Sequence, residues 1–489
     1  MSRIIEALSE RRRGNPATTA ICGVGESLSY EALADRVDQA VAHFRNLDCR
    51  CVAILADNSV DWVVADLAAV AAGIAMIPLP PFFTADQLNQ LFATTPVDTL
   101  LVDDSIPLAT TSPRFDATSA SIGSLAVLRR ARPAVLPPAV LRGVAKITFT
   151  SGSTGTPKGV CLARVGLEQT AGRLAKHLGD IGIRRHLCVM PLATLLENVA
   201  GIYVSILLGA VIHVWPMRAV GLSGSSRLDV ATLRRAIDET RAESIILIPQ
   251  MLQELAAYAR GERWEDCPLR FVAVGGAKIS DHAIDAAVEA GIPVYQGYGL
   301  SECNSVVALN RPAEHRRSSV GKPLVDDGVR IAEDGEIIVN GSRMLCYLGE
   351  TPTVSDEIAT GDIGHLDADG YLYITGRKKN LFITSFGRNV SPEWPEAELV
   401  HQPEIRQAVV FGEGMPGNVA VLVPSGNDGV EGAVHRANSG LPDYAQVNSW
   451  IIADEPFTTG NGLLTPTGKP RREAVMARYL PTPQTAACS

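Results

Sequence analysis

The chain reads as an α/β protein: a large N-terminal region of helix-covered sheets followed by a small, mobile α+β region. Three observations predict this. Helical and extended patterns alternate along the first part of the chain. Several of the extended runs pass directly into Gly-containing turns. The texture then changes near residue 375, where a short basic stretch introduces about 110 residues with their own helix and strand patterns. We place the domains at 1–375 and 376–489.

The elements follow in order. Ser29 is a helix cap, and Leu33, Val37, Val41, Phe44 and Leu47 behind it recur at helical spacing. A strand at 52–55, a helix at 60–72 and a strand at 74–79 come next, and Thr84 and Gln87 have the spacing of a capping box. Further strands are expected at 147–150, 244–248, 271–274 and 294–296. In the C-terminal region, helices are expected at 391–399 and 429–438 and strands at 407–411 and 419–423. In open α/β sheets ligands collect where strands end in loops.

Composition narrows the function. With 489 residues, 46% hydrophobic and 20% charged, the chain has ample core-forming material for more than one domain. A net charge of −9 argues against nucleic acid as a partner. Nine cysteines show no metal-like or disulfide-like spacing, and an odd number of free thiols fits a reducing cytoplasm. Cys49 and Cys51 are expected to pack rather than react. The opening residues carry Glu6, Glu10 and four arginines without a long apolar run, unlike a secretory leader. The apolar stretches 67–83 and 199–217 are broken by prolines and by Gly209, so each reads as a core helix running into a buried strand rather than a membrane span.

The most informative segment is Thr150-Ser-Gly-Ser-Thr-Gly-Thr-Pro-Lys-Gly159. It brings hydroxyls, closely approachable glycine amides and one lysine to the end of a strand, which suits a polyphosphate. Pro157 before Lys158 breaks the Gly-Lys-Ser/Thr spacing of a Walker A loop and disfavours a P-loop ATPase. This segment resembles the signature of the ANL superfamily of adenylate-forming enzymes, which includes acyl-CoA synthetases, peptide-synthetase adenylation domains and luciferases. The resemblance runs from about Ser29 to about Tyr479.

The resemblance implies ATP and Mg²⁺, with Thr150, Ser151, Gly152, Ser153, Thr154, Gly155 and Lys158 around the β- and γ-phosphates. Gln296-Gly-Tyr-Gly-Leu-Ser-Glu302 matches a second family element. Tyr298 would stack on adenine, Ser301 would bond the α-phosphate and Glu302 would hold the metal, with Gly297 and Gly299 also in the ATP site. Gly275, Gly276 and Ala277 would line the adenine and acyl sites. Thr360-Gly-Asp-Ile-Gly364 would offer Asp362 to the ribose hydroxyls, Arg377 would contact ribose or phosphate, and Lys379 would be the hinge. Gly462-Leu-Leu-Thr-Pro-Thr-Gly-Lys469 presents the catalytic lysine, Lys469, between carboxylate and α-phosphate.

The same resemblance points to the substrate. The segments beginning at Glu455 and Ser385 match the long-chain acyl-CoA synthetase branch, and Gly387 would line the path of the acceptor thiol, coenzyme A or a pantetheine arm. Residues 376–392 run without the insertion that adenylate-only members often carry. The expectation is a medium- or long-chain fatty acyl-CoA synthetase. Its rivals are a ligase that loads an acyl or aryl acid onto a carrier protein and, in another class, a degenerate member that binds nucleotide or acyl ligand without turnover. In Pro191-Leu-Ala-Thr-Leu-Leu-Glu197, Thr194 stands where the family usually has His, which leaves the acid preference open. Leu195, Leu196 and Val199 suit either an acyl tunnel or the core.

Overall fold

In the computed structural model the described residues are all but 1, 82, 104–105, 107–114, 131–140, 151–157, 225–226, 262–263, 265, 342, 352–355, 384–388, 414, 416, 427, 466–467 and 481–489. Two large sheets dominate. A nine-stranded sheet runs from Lys322–Pro323 through Ser305–Leu309, Val294–Leu300, Phe271–Val274, Ser244–Leu247, Arg185–Cys188, Val211–Val214 and Thr19–Cys22 to Ser27–Ser29. An eight-stranded sheet runs from Cys346–Tyr347 through Lys158–Ala163, Val144–Thr150, Ala75–Leu79, Cys51–Leu55, Thr99–Val102 and Leu125–Arg130 to Phe115–Ile122. Their central strands are parallel, as helical crossovers require.

Local chemistry sets the crossovers. Ser29 caps the helix Tyr30–Asn46, whose Leu33, Val37, Val41 and Phe44 are buried. Ser59 caps Val60–Ala72, and Gly73, at φ +69°, ends that helix in the left-handed conformation only glycine adopts without strain. Thr84 and Gln87 form a reciprocal capping box. The apolar run after residue 199 is a π-helical segment, Glu197–Tyr203, continuing into Val204–Leu208 and then the strand Val211–Val214. No helix among the described residues is long and apolar enough to cross a membrane. The eight cysteines in the described residues are unpaired; Cys49 and Cys51 are buried.

Beside the two large sheets and two two-stranded ribbons, the described residues form one four-stranded and one three-stranded sheet. Val329–Ile331, Glu336–Asn340, Glu357–Leu366 and Leu372–Arg377 form one. Ile405–Phe411, Asn418–Pro424 and Val447–Ile452 form the other, packed by the helices Glu393–Val400 and Val430–Ser439 around their own apolar cluster. Strand Val447–Ile452 and the final helix, Arg472–Tyr479, have no counterpart in the expected elements.

Candidate active site

The phosphate-loop residues Ser151, Gly152, Ser153, Thr154 and Gly155 lie outside the described residues, but the strands that launch and receive them are fixed. Thr150 ends one strand and pairs across the sheet with Lys158, which begins the next. The exposed Lys158 ammonium lies 4.9 Å from the ring centre of Tyr347, within reach of its π face. Tyr347 in turn donates its hydroxyl to Glu302 Oε1 at 3.0 Å. Burial and the neighbouring Glu302 charge both push this phenol up, so it stays a donor. Glu302 has no lysine or arginine within ion-pair distance among the described residues, which leaves its carboxylate available to a hard cation such as Mg²⁺.

The adjacent parallel strands Phe271–Val274 and Val294–Leu300 place the two glycine turns side by side. A Cβ on Gly275 would sit 3.3 Å from the Gly297 carbonyl, and Gly276 has φ +87°. Gly276, Ala277 and Gly299 are open to solvent. The tightest constraint is at Gly299, where a Cβ would lie 1.8 Å from the Ser305 carbonyl. Gly299→Ala is therefore expected to push the strands Val294–Leu300 and Ser305–Leu309 apart and cost about 1–3 kcal/mol. A thermal-melting midpoint equal to that of the wild type would refute this. Ser301 and Glu302 lie on the single 3₁₀ turn that follows, closed by Asn304 at φ +59°.

Tyr298 and Asp362, far apart in sequence, meet here. The tyrosine hydroxyl donates to Asp362 Oδ2 at 2.6 Å, and Arg377 Nε lies 2.6 Å from Oδ1. The latter contact follows from register, because Asp362 and Arg377 are paired across neighbouring strands. Thr360 Oγ1 accepts the Asp362 amide while donating to the Ile337 carbonyl. Burial raises the Asp362 carboxyl above its usual range, and Arg377 and the Tyr298 hydroxyl oppose that shift.

Lys469, in the C-terminal region, lies within electrostatic range of Asp362 and Arg377. Its backbone closes a tight turn: Thr465 N donates to the Lys469 carbonyl at 2.7 Å, and Lys469 N donates to Thr465 Oγ1 at 3.0 Å. Gly468 supplies φ +77° for that turn. The side chain keeps access to solvent although protein surrounds it on most sides. Burial holds the ammonium below the usual lysine range; Arg377 and Lys379 add to that, while Asp362 and Glu393 oppose it. Lys379 is exposed on the turn after Arg377.

The remaining expected positions divide. Gly387 lies outside the described residues. Leu195 and Val199 belong to the main apolar core, 5% and 0% exposed. Leu196 packs against that core, and Thr194 is half-buried at the start of the turn that leads into the π-helical segment. Tyr347 was not anticipated: it lies on a two-residue strand 45 residues from Glu302, with no motif around it.

Glycine turns at adjacent strand ends, an aromatic residue beside a buried aspartate paired with a half-exposed arginine, and a lysine delivered by a separate region define an α/β enzyme that works on a nucleotide. Residues 8–347 match the family described as AMP-binding enzyme, and the chain belongs to that family. The long-chain-fatty-acid–CoA ligase FadD15 of Mycobacterium bovis is 26% identical to it, over 88% of this chain and 86% of that protein. The 2-succinylbenzoate–CoA ligase of Geobacillus kaustophilus is 31% identical over 61% of each chain. The O-succinylbenzoate coenzyme A synthetase of Bacillus subtilis in complex with AMP has the same fold, with a TM-score of 0.76 at 21% identity over 96% of this chain and 97% of that one.

Proposed function

We propose that this enzyme activates a carboxylic acid with ATP and transfers the acyl group to the thiol of coenzyme A, with a medium- or long-chain fatty acid as substrate. The observation that carries this reading is the convergence of Tyr298, Asp362, Arg377 and Lys469 on one cleft from three separate stretches of chain. FadD15, similar along most of its length, supports the fatty-acid assignment.

In the first step a carboxylate oxygen attacks the α-phosphorus of ATP. The bond from that phosphorus to the bridging oxygen breaks, and pyrophosphate leaves. Two anions must approach each other, and Lys469 offsets their repulsion with a preorganised positive charge. Asp362 would accept the ribose hydroxyls, Arg377 would hold the carboxylate of Asp362 in place, and Tyr298 would present its ring to the base. Ser301 would bond the α-phosphate, and the loop 150–159 with Lys158 would hold the departing phosphates. Mg²⁺, on Glu302, would screen the phosphate charge. In the second step the thiol sulfur attacks the acyl carbon, AMP leaves, and the thiol proton passes to solvent. The segment after residue 376 would turn about Lys379 between the steps, withdrawing Lys469 and bringing the Gly387 region to the acyl group.

A second reading, an aryl acid as substrate, is favoured by the higher local identity to the 2-succinylbenzoate ligase. Acid-dependent pyrophosphate exchange, run with hexanoate to palmitate beside benzoate and 4-hydroxycinnamate, decides between them. Fastest exchange with a fatty acid of eight carbons or more is expected. Exchange confined to the aromatic acids would replace the fatty-acid assignment, and no exchange with any acid would overturn the ligase reading. Coenzyme A beside a pantetheinylated carrier protein then identifies the acceptor.

A further inference from the structure

The small C-terminal region touches the glycine turn 275–277 and the helix behind it through polar side chains. Lys278 directly follows the turn, and its ammonium lies 5.8 Å from the ring centre of Trp394 on the helix Glu393–Val400. Ser280 then caps the helix Asp281–Glu289. In the first turn of that helix His282 Nδ1 donates to Glu398 Oε2 at 3.0 Å. Glu398 stands four residues after Trp394, on the same helix face. The His282 ring also stacks on His401, with centres 5.8 Å and planes 21° apart. A Cβ on Gly440 would come within 3.4 Å of His282 Cε1, so the C-terminal region meets this ring with bare backbone as well. On the other side the helix is tied down: Asp281 accepts Ser318 Oγ and Asp285 pairs with Arg317, each at 2.5 Å.

We propose that Lys278 and His282 form a latch: with Trp394, Glu398 and His401 they hold the C-terminal region on the glycine turn in the adenylation arrangement, and the latch opens before the thiol step. The inference rests on the reading above that this region turns about Lys379 between the two steps. In the arrangement the latch holds, Lys469 lies within electrostatic range of Asp362 and Arg377. The chemistry of the joint suits opening in every turnover. Among the described residues no apolar cluster includes side chains from both regions. The His282 side chain is 58% exposed, and a pair so open to water orients its partners without binding them tightly. An apolar seam of the same extent would have to be stripped open to water each time.

Carbethoxylation of the full chain with diethyl pyrocarbonate, mapped by mass spectrometry, reads the joint without turnover. Lys278→Ala removes the contact at one end and leaves both histidines in place. The rate of His401 modification is expected to rise about twofold to fivefold, while exposed His435 on the outer helix Val430–Ser439 keeps its rate. An unchanged His401 rate, or a rise that His435 shares, would overturn the proposal. His282→Glu sets a second carboxylate against Glu398. It is expected to slow acid-dependent pyrophosphate exchange about fivefold or more, with thioester formation from supplied acyl-adenylate at least as fast as in wild type. Adding Glu398→Gln, which removes the repulsion, is expected to restore exchange. Equal loss in both half-reactions, or no rescue by Glu398→Gln, would also overturn it. Absent wild-type exchange sinks the ligase reading alone, because the carbethoxylation rates still report on the joint.

Discussion

Lys469→Ala is expected to slow acid-dependent pyrophosphate exchange about 100-fold or more, while thioester formation from supplied acyl-adenylate stays close to the wild-type rate. The split follows from where the charge is needed. Adenylation brings a carboxylate against a phosphate, and a single ammonium between them lowers the energy of the charge that builds up. Thioester formation starts from the mixed anhydride, in which that repulsion has already been overcome. The fold itself should be indifferent to the substitution. The turn is held by backbone bonds to Thr465, and the Lys469 ammonium makes no hydrogen bond or ion pair among the described residues. Stability is therefore expected to change by no more than about 0.5 kcal/mol. Exchange within a few-fold of wild type would remove Lys469 from the role assigned to it. Equal loss in both half-reactions would point instead to a general effect on the cleft.

What the sequence disclosed here, and what it withheld, follows from the range of each interaction. Ser29, Thr84 with Gln87, and the buried face from Leu33 to Phe44 act within a few residues, and the helices they announce are present as expected. Glycine turns were legible too, because closeness at Gly299 or a positive φ at Gly276 excludes other side chains. The order of strands in the two large sheets was not. Cys346–Tyr347 sits at the edge of a sheet whose next strand is Lys158–Ala163, and nothing local announces a pairing across nearly two hundred residues. That pairing is what brings Tyr347 between Lys158 and Glu302.

The same distinction applies to the cleft. Asp362 and Arg377 stand out as motif residues, yet their contact depends on strand register. Glu393 was readable only as part of a helix start, since its partners Asn380, Ser391 and Arg472 are assembled by the fold of the C-terminal region. Leu195 and Val199 show the converse. Apolar residues beside an acid-binding motif suit a tunnel or a core equally well, and only their packing assigns them to the core.

Lys146→Met is expected to destabilise the fold by about 3–5 kcal/mol, more than any surface change would. Lys146 is 1% exposed and lies 2.8 Å from Asp66, which is fully buried within the helix Val60–Ala72. Its ammonium also donates to Asn198 and, at 3.2 Å, to the Tyr203 hydroxyl. Asn198 and Tyr203 close the circuit on the other Asp66 oxygen at 2.8 and 2.9 Å. Removing the lysine strands a buried carboxylate with neutral partners only, a far larger penalty than the net worth of the intact pair. Lys146→Met combined with Asp66→Leu should therefore be less damaging than Lys146→Met alone, a non-additivity that simple loss of packing does not produce. Urea-unfolding midpoints of the two single variants and the double variant test this, and strictly additive losses would refute it. The network also has a functional consequence. It ties the π-helical segment Glu197–Tyr203, whose first residue bonds His186 at 2.9 Å and the Met190 amide at 2.9 Å, to the strand Val144–Thr150. Residues 191–196 precede that segment and the phosphate loop follows that strand, so the expected acid and phosphate elements are braced by one buried ion pair. A variant that retains the fold but loses the pair should then raise the KM for the acid as well as for ATP.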